Sequence, residues 1–216
     1  MIRVTTFSEA GGHAVSEDAF AVHRYPSDPD GWLGFLADGQ GGQSGGAEAA
    51  RLACRVAADA ALKLSLHQLA DSRVWTTLLQ QADAAVSADR EAGLTTLIGL
   101  GILGGVLHGA SCGDSAVVVV SEGERPRQAT ADQFKNPPVG SGVATFVPFT
   151  ARLAGRCSVL VMSDGVWKYA GWERIFEAVV IHRGQSLIAA LQAAARLRRT
   201  GTFPDDFTVV LFEGTD

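Results

Sequence analysis

Acidic residues recur in this chain at points where a predicted β-strand begins or ends. Five places share this position, and they are Glu17 with Asp18, Asp38, Asp114, Asp164, and Asp205 with Asp206. Carboxylates repel one another and are costly to remove from water, so their convergence would require a compensating cation. Ligands that are all oxygen, with no Cys or His at ligand spacing, suit Mg²⁺ or Mn²⁺ better than Zn²⁺. The pattern predicts a binuclear site for hard divalent cations, although each aspartate taken singly is also typical of a solvated turn.

The glycine-rich segment after Asp38 has three interpretations. Residues Gly39 to Gly46 could form a metal-binding turn, a phosphate-cradling loop for a nucleotide, or a purely structural turn. The nucleotide loop is disfavoured because no Gly-Lys-Ser/Thr follows, and because Asp38 would repel a phosphate unless a metal lay between them. The metal-binding turn is therefore the favoured interpretation.

The elements that position these acids can be predicted from hydrophobic periodicity. The stretch 93–113 is long enough to cross a bilayer and contains no Asp, Glu, Lys or Arg, so that His108 is its only titratable residue that could carry a positive charge. Between residues 98 and 102, however, isoleucine and leucine alternate with glycine, and Gly104-Gly105 then supplies a hairpin turn. The stretch is predicted to form two antiparallel core strands instead of a membrane helix.

The rest of the chain divides into strand groups separated by helix pairs. Further strands are predicted at 19–24, 32–37, 116–121, 158–162 and 207–213, and helices at 47–69, from the Asp71-Ser72 cap through Val86, at 172–180 and at 185–199. The proline-rich segment 122–150 is predicted to be surface loops with short strand pieces. This order predicts an α+β layered sandwich, with two antiparallel β-sheets packed face to face and helix pairs on both outer sides.

Bulk composition limits the possible functions. The 216 residues are 47% hydrophobic, enough for one core, so residues 1–216 are predicted to form a single domain. The net charge of −5 and the pI of 5.5 disfavour nucleic acid and anionic membrane as partners. Three well-separated cysteines indicate buried, reduced thiols, and the first twelve residues lack the features of a secretory signal. A cytoplasmic location is predicted.

Five short motifs resemble those of the metal-dependent protein phosphatases of the 2C type, in that family's order and along nearly the whole chain. They are Ser16-Glu17-Asp18-Ala19, Asp38-Gly39-Gln40-Gly41-Gly42, Gly113-Asp114-Ser115, Ser163-Asp164-Gly165 and Asp205-Asp206-Phe207-Thr208. Each motif alone is a weak signal, and five in order are a strong one. The resemblance implies a β-sandwich flanked by helix pairs, as the periodicity does, and hydrolysis of phosphoserine or phosphothreonine on a protein.

The resemblance also implies a role for each acidic position. Asp38 would bridge two Mn²⁺ or Mg²⁺ ions, and the Gly39 carbonyl could reach one of them because glycine has no side chain. The other expected ligands are Asp164 and Asp205 at the first ion and Glu17 and Asp18 at the second, where one of the two would bind directly and the other through a metal-bound water. Asp114 would bind a third, weaker ion or its water shell. Two cations lower the pKa of a shared water, so the expected nucleophile is a hydroxide bridging the two ions.

Three positions depart from the family pattern. His13 stands where many members carry an arginine that binds the substrate phosphate, which makes it a candidate phosphate contact of lower affinity. A loop histidine with no role is an equally good interpretation. Gln40 replaces a residue suggested as a general acid in some members, and Asp206 replaces the usual asparagine and adds a negative charge beside the site.

The implied partners are a phosphoprotein substrate and a cognate kinase or its target. Two other functions stay open. One is a pseudophosphatase that binds a phosphoprotein or kinase without turnover, and the other is a two-metal hydrolase of small phosphoesters. Retention of every candidate metal ligand disfavours the first.

Overall fold

The chain forms two five-stranded antiparallel sheets in a computed structural model that describes residues 1–12, 15–40 and 44–214. Its strands, in chain order, are β1 (Ile2–Glu9), β2 (Asp18–Arg24), β3 (Trp32–Asp38), β4 (Leu97–Leu103), β5 (Val106–Cys112), β6 (Ala116–Val120), β7 (Arg127–Gln128), β8 (Val147–Arg152), β9 (Cys157–Met162) and β10 (Phe207–Gly214). Sheet I has the order β1-β10-β9-β6-β7, and sheet II has the order β2-β3-β4-β5-β8.

Helices cover the outer face of each sheet. They are α1 (Gly46–Ala61), α2 (Leu66–Leu69), α3 (Ser72–Ala88), α4 (Asp164–Ala170), α5 (Trp172–Ile181) and α6 (Gly184–Ala195). Helices α1 and α3 pack on sheet II, and α4 and α6 pack on sheet I. The predicted α+β layered sandwich is therefore confirmed. In the part of the chain described here, no helix is long and apolar enough to span a bilayer.

The two sheets pack against each other through a layer of buried apolar side chains. Leu36 and Leu100 of sheet II face Val210 and Phe212 of sheet I, and all four are buried. Because helices cover the opposite faces, β6, β9 and most of β10 are buried on both sides. This explains their continuous apolar runs, and each buried Leu or Phe contributes about 1.5–3 kcal/mol relative to an exposed one.

The alternation in β4 follows from what packs on each of its faces. Its isoleucines and Leu100 enter the layer between the sheets, whereas Gly99 and Gly101 face α3. A Cβ on Gly99 would lie 2.7 Å from the side chain of Leu79, and one on Gly101 would lie 2.9 Å from that of Trp75. The glycines make room for two large helix side chains, so the predicted period of two is confirmed for a packing reason.

Three elements differ from the prediction. Strand β1 was not predicted, because it is the half-buried edge of sheet I and carries a weak apolar pattern. The helix predicted at 47–69 is divided, since Ser65 and Gln68 form a capping box that starts α2. Helix α4 was also not predicted, because Asp164 was expected to end a strand and instead begins this helix.

The last predicted helix ends at Ala195, four residues earlier than expected. Arg196 turns away from the helix axis and pairs with Glu9 at 2.8 Å, and its guanidinium lies 3.9 Å from the centre of the Phe203 ring. An ion pair and a cation–π contact thus hold the first residue after α6 in place. All three cysteines are free and buried, as predicted.

Asp83 of α3 holds the irregular segment that precedes β8. Its side chain is 3% exposed, and its carboxylate accepts hydrogen bonds from the backbone N–H groups of Gly140 at 2.7 Å, Ala144 at 3.0 Å and Gly142 at 3.2 Å. A charged acceptor therefore satisfies three backbone donors at once.

We expect Asp83→Ala to lower the free energy of unfolding by about 2–4 kcal/mol, because three backbone donors lose their acceptor. Urea denaturation followed by circular dichroism would measure the change. Asp59→Ala, at an exposed position of α1, is the control and should stay within about 0.5 kcal/mol of wild type. Equal stability of both variants would show that the segment needs no such acceptor.

Candidate functional site

The predicted acidic residues converge at one cleft of about 350 Å³. It lies where β3 ends and where α4 and β10 begin. Its acidic lining residues are Glu17, Asp38, Asp114, Asp164, Asp205 and Asp206, together with Gly39 and Gln40 of the following turn. The carboxylate oxygens of Asp18 are buried beside them. The structure thus brings together every acidic position that the sequence singled out.

Strand pairing places the first two acids side by side. Strand β2 begins at Asp18 and the antiparallel β3 ends at Asp38, and these two residues are directly opposite in the register. Helix α4 adds the third, because the backbone N–H of Asp164 lies 3.4 Å from Asp38 Oδ2. Three carboxylates from three elements therefore occupy one end of the sandwich.

Burial and mutual repulsion raise the pKa values of these acids. The pKa of Asp38 rises to about 9, chiefly because the group is buried and further because of the charges of Asp18 and Asp164. Burial also raises the pKa of Asp18 to about 7, with additional repulsion from Asp206 and Asp164. The pKa of Asp164 is raised by burial, and its ion pair with Lys168 opposes that shift. The surroundings by themselves therefore do not stabilise the fully ionised form of the cluster.

Asp18 shows the imbalance most directly. Both of its carboxylate oxygens are buried and make no well-formed hydrogen bond among the described residues, and the nearby hydroxyls of Thr208 and Ser163 only partly oppose the rise in its pKa. A buried carboxylate with so little compensation is costly, and a cation bound nearby would offset that cost. The available donors are all oxygen, which is the set that Mg²⁺ and Mn²⁺ prefer. The residues present therefore fit divalent hard cations.

Gly39 occupies a position where no side chain can be accommodated. A Cβ there would lie 2.4 Å from the backbone oxygen of Gly46 and 2.8 Å from that of Glu17. The Gly39 N–H donates to the Glu17 carbonyl at 3.1 Å, which joins the turn to the start of β2. The glycine is thus required by close approach of three backbone segments.

Asp206 has a structural function in addition to the negative charge predicted for it. It is 6% exposed, and its two oxygens accept from the N–H groups of Gly11 at 2.8 Å and Glu17 at 2.6 Å. These bonds tie the segment before β2 to the start of β10 and so position Glu17. An asparagine would offer one acceptor oxygen where this chain uses two.

Two lysines in the cleft were missed by the sequence analysis. Lys168 Nζ pairs with Asp164 Oδ2 one helical turn earlier, and Lys135 Nζ pairs with Asp114 Oδ2 at 2.5 Å. The spacing of four between Asp164 and Lys168 would have indicated the first pair had α4 been predicted. Within residues 1–12, 15–40 and 44–214, no group of three His, Cys, Asp or Glu side chains has the arrangement of a formed metal site.

Some predicted positions fall outside the residues that the structure describes. These are His13, the candidate phosphate contact, and Gly41 and Gly42 of the glycine turn. Gln40 is described, lines the cleft and is exposed.

A larger cavity of about 830 Å³ lies between α1 and α3. Its charged lining residues have both signs, as in Asp59 with Lys63 and Asp71 with Arg73. It lacks the convergent carboxylates of the smaller cleft, which is therefore the better candidate for catalysis.

Comparison with known proteins identifies relatives of this fold. The sequence model of one family, Protein phosphatase 2C, matches residues 8–193. No curated protein matches the chain with significant sequence similarity. The catalytic domain of the serine threonine protein phosphatase PstP, in complex with two manganese ions, has a TM-score of 0.81 and 22% identity over 100% of this chain and 99% of that chain.

Two further solved structures share the fold. Serine/threonine phosphatase Stp1 from Staphylococcus aureus has a TM-score of 0.78 and 18% identity over 100% of this chain and 96% of that chain. RsbX in complex with magnesium has a TM-score of 0.75 and 14% identity over 98% of this chain and 94% of that chain. At these identities the structural likeness establishes the fold.

The raised pKa values predict how the stability of the metal-free protein depends on pH. Asp38 and Asp18 keep a proton in the folded state at pH values where the unfolded chain, with a pKa of about 3.9, has lost it. The folded state therefore binds more protons, and its stability falls as pH rises from about 4 to about 9.

Asp38→Asn should remove part of this loss. In EDTA the variant should have a melting temperature about 3–6 °C above wild type at pH 8, and no such advantage at pH 4. Differential scanning fluorimetry across this pH range, with Asp59→Asn as the control, would measure it. A variant that is less stable than wild type at pH 8 would contradict the predicted repulsion.

Proposed function

We propose, from the premise that this chain belongs to the protein phosphatase 2C family, that it hydrolyses phosphoserine and phosphothreonine in proteins with the help of two Mn²⁺ or Mg²⁺ ions. One observation carries the proposal. Asp18, Asp38 and Asp164 are brought together from three elements, and burial together with repulsion from neighbouring carboxylates raises the pKa of each. Such a cluster has a physical reason to exist when cations bind it.

The cleft residues would hold these ions as the sequence predicts. The proposed ligands are Asp38, Asp164 and Asp205 for one ion, Glu17 and Asp18 with Asp38 for the other, the Gly39 carbonyl for one of these two ions, and Asp114 for a third, weaker ion. Bound there, the ions would lower the pKa of water and offset charge on the phosphoryl oxygens. His13 as a phosphate contact stays part of the proposal.

Neighbouring threonines hold the central aspartate in place. The N–H of Asp38 donates to Thr96 Oγ1 at 2.9 Å, and its carbonyl accepts from the N–H of Thr96 and the hydroxyl of Thr95, each at 2.9 Å. The backbone on both sides of the Asp38 side chain is therefore fixed. The carboxylate can turn toward a ligand without movement of the strand end.

The structural relatives support this choice of metal and substrate. PstP was solved with manganese and RsbX with magnesium, and PstP and Stp1 are described as serine/threonine phosphatases. We extend this to a phosphoprotein substrate for the present chain, to a cognate kinase or its target as partner, and to a cytoplasmic location.

Metal dependence tests the proposed reaction. We expect turnover of p-nitrophenyl phosphate and of a phosphothreonine peptide with Mn²⁺ or Mg²⁺, and its loss in EDTA, because the donors fit hard cations. Equal turnover in metal-free buffer would overturn the proposal. Hydrolysis of small phosphoesters alone would favour a small-molecule hydrolase, and peptide binding without turnover would favour a pseudophosphatase.

Substitution of single carboxylates tests the placement of the site. Asp38→Asn and Asp164→Asn should each lower kcat at least about a hundredfold at saturating metal, because neutral amides bind hard cations poorly. Asp59→Asn, which changes an exposed aspartate of α1 in the same way, should keep wild-type kcat. Steady-state kinetics would measure all three. Near-normal turnover by either cleft variant would show that the ions bind elsewhere.

A further inference from the structure

The cleft contains most of the lysine in this chain. Of the 18 basic residues only three are lysines, and two of these, Lys135 and Lys168, line the cleft. They are the only cationic residues among its described lining residues, where six carboxylates surround them. The third, Lys63, is exposed in the cavity between α1 and α3.

Lys168 is held in position by the packing of α4. Trp167 beside it donates from Nε1 to the carbonyl of Asp114 at 2.9 Å and stacks on Trp172 with ring centres 5.6 Å apart. These contacts fix the helix against the Asp114 loop. The Lys168 ammonium therefore pairs with Asp164 from a rigid base, while the side chain stays 38% exposed to the cleft.

Lys135 enters the cleft from a different part of the chain. It lies in the irregular segment that Asp83 anchors further along, and it pairs with Asp114 while its side chain remains 66% exposed. Asn136 and Pro138 from the same segment also line the cleft. The two ammonium groups thus enter the site from separate parts of the chain, and each forms an ion pair with a carboxylate.

A phosphate monoester is a dianion, and it would meet strong repulsion from six carboxylates. Divalent cations bound by these carboxylates would reduce that repulsion and would weaken the attraction of Asp164 and Asp114 for their lysines. Phosphoryl oxygens would then be the strongest acceptors within reach of both ammonium groups. A lysine suits this task, because its compact charge with three rotatable donors can change partners.

We propose that Lys168 and Lys135 bind the phosphoryl group of the substrate. Before metal and substrate bind, Lys168 remains paired with Asp164 and Lys135 with Asp114. The inference depends on the proposed phosphatase function and adds the residues that recognise the phosphoryl group. It assigns to this chain two cations that act from α4 and from the segment before β8.

The test compares Lys168→Gln, Lys135→Gln and the double variant with Lys63→Gln, which makes the same change away from the cleft. With p-nitrophenyl phosphate at saturating Mn²⁺, KM should rise about tenfold for Lys168→Gln and about threefold for the more exposed Lys135, with smaller changes in kcat. Lys168→Arg, which keeps the charge, should recover part of the loss. Lys63→Gln should match wild type.

Calorimetric titration of inorganic phosphate into the Mg²⁺-loaded proteins gives a second readout that does not require turnover. The dissociation constant of phosphate should rise in parallel with KM, and the affinity for Mg²⁺ should stay equal or increase.

If the wild-type protein is active and the double variant has unchanged KM and phosphate affinity, this inference is overturned and the proposed function is left standing. Loss of Mg²⁺ affinity would also overturn it, because the lysines would then support the metal site. Absence of turnover in wild type would refute the proposed function, and the calorimetry would still test the lysines.

Discussion

Repulsion among buried carboxylates is the constraint around which this end of the molecule is organised. Asp18 and Asp38 are opposite one another in neighbouring strands, and Asp164 joins them from the start of α4. Burial and their mutual charges raise the pKa values of all three. A protein has no reason to retain such a cluster for stability, since neutral residues would pack there at lower cost. The cost is understandable if the cluster binds cations.

Much of the surrounding structure resists the separation of these charges. Thr95 and Thr96 hold the backbone of Asp38 through three hydrogen bonds, and Asp206 ties the segment before β2 to β10. Behind them lies the apolar layer between the two sheets, which is buried on both sides. The strand ends cannot move apart without opening that layer. The free energy of burying the apolar core therefore offsets the repulsion between the like charges.

Charge balance in the cleft also involves the two lysines. Lys168 and Lys135 offset part of the negative charge on Asp164 and Asp114. In the proposed function they would compete with divalent ions for the same oxygens, and so would weaken metal binding while keeping positive charge near the substrate. The carboxylate cluster would then bind cations, and the ammonium groups would transfer from their carboxylates to the phosphoryl group. A permanently charged guanidinium with fixed fork geometry would exchange partners less readily.

Local patterns in the sequence determined the layered sandwich and the set of acidic residues. The alternation around Gly99 and the run of apolar residues in β9 follow from what each face of a strand must bury, and such rules act over a few neighbouring residues. Only the tertiary structure decided which hydrogen-bond and ion-pair partners these acidic residues have. The bond from Glu17 to Asp206 joins residues 189 apart in sequence, and the pairing of Lys135 with Asp114 depends on a segment without periodicity. Contacts of this kind leave no local pattern, because the partners are brought together by the packing of the sheets and not by their spacing in the chain.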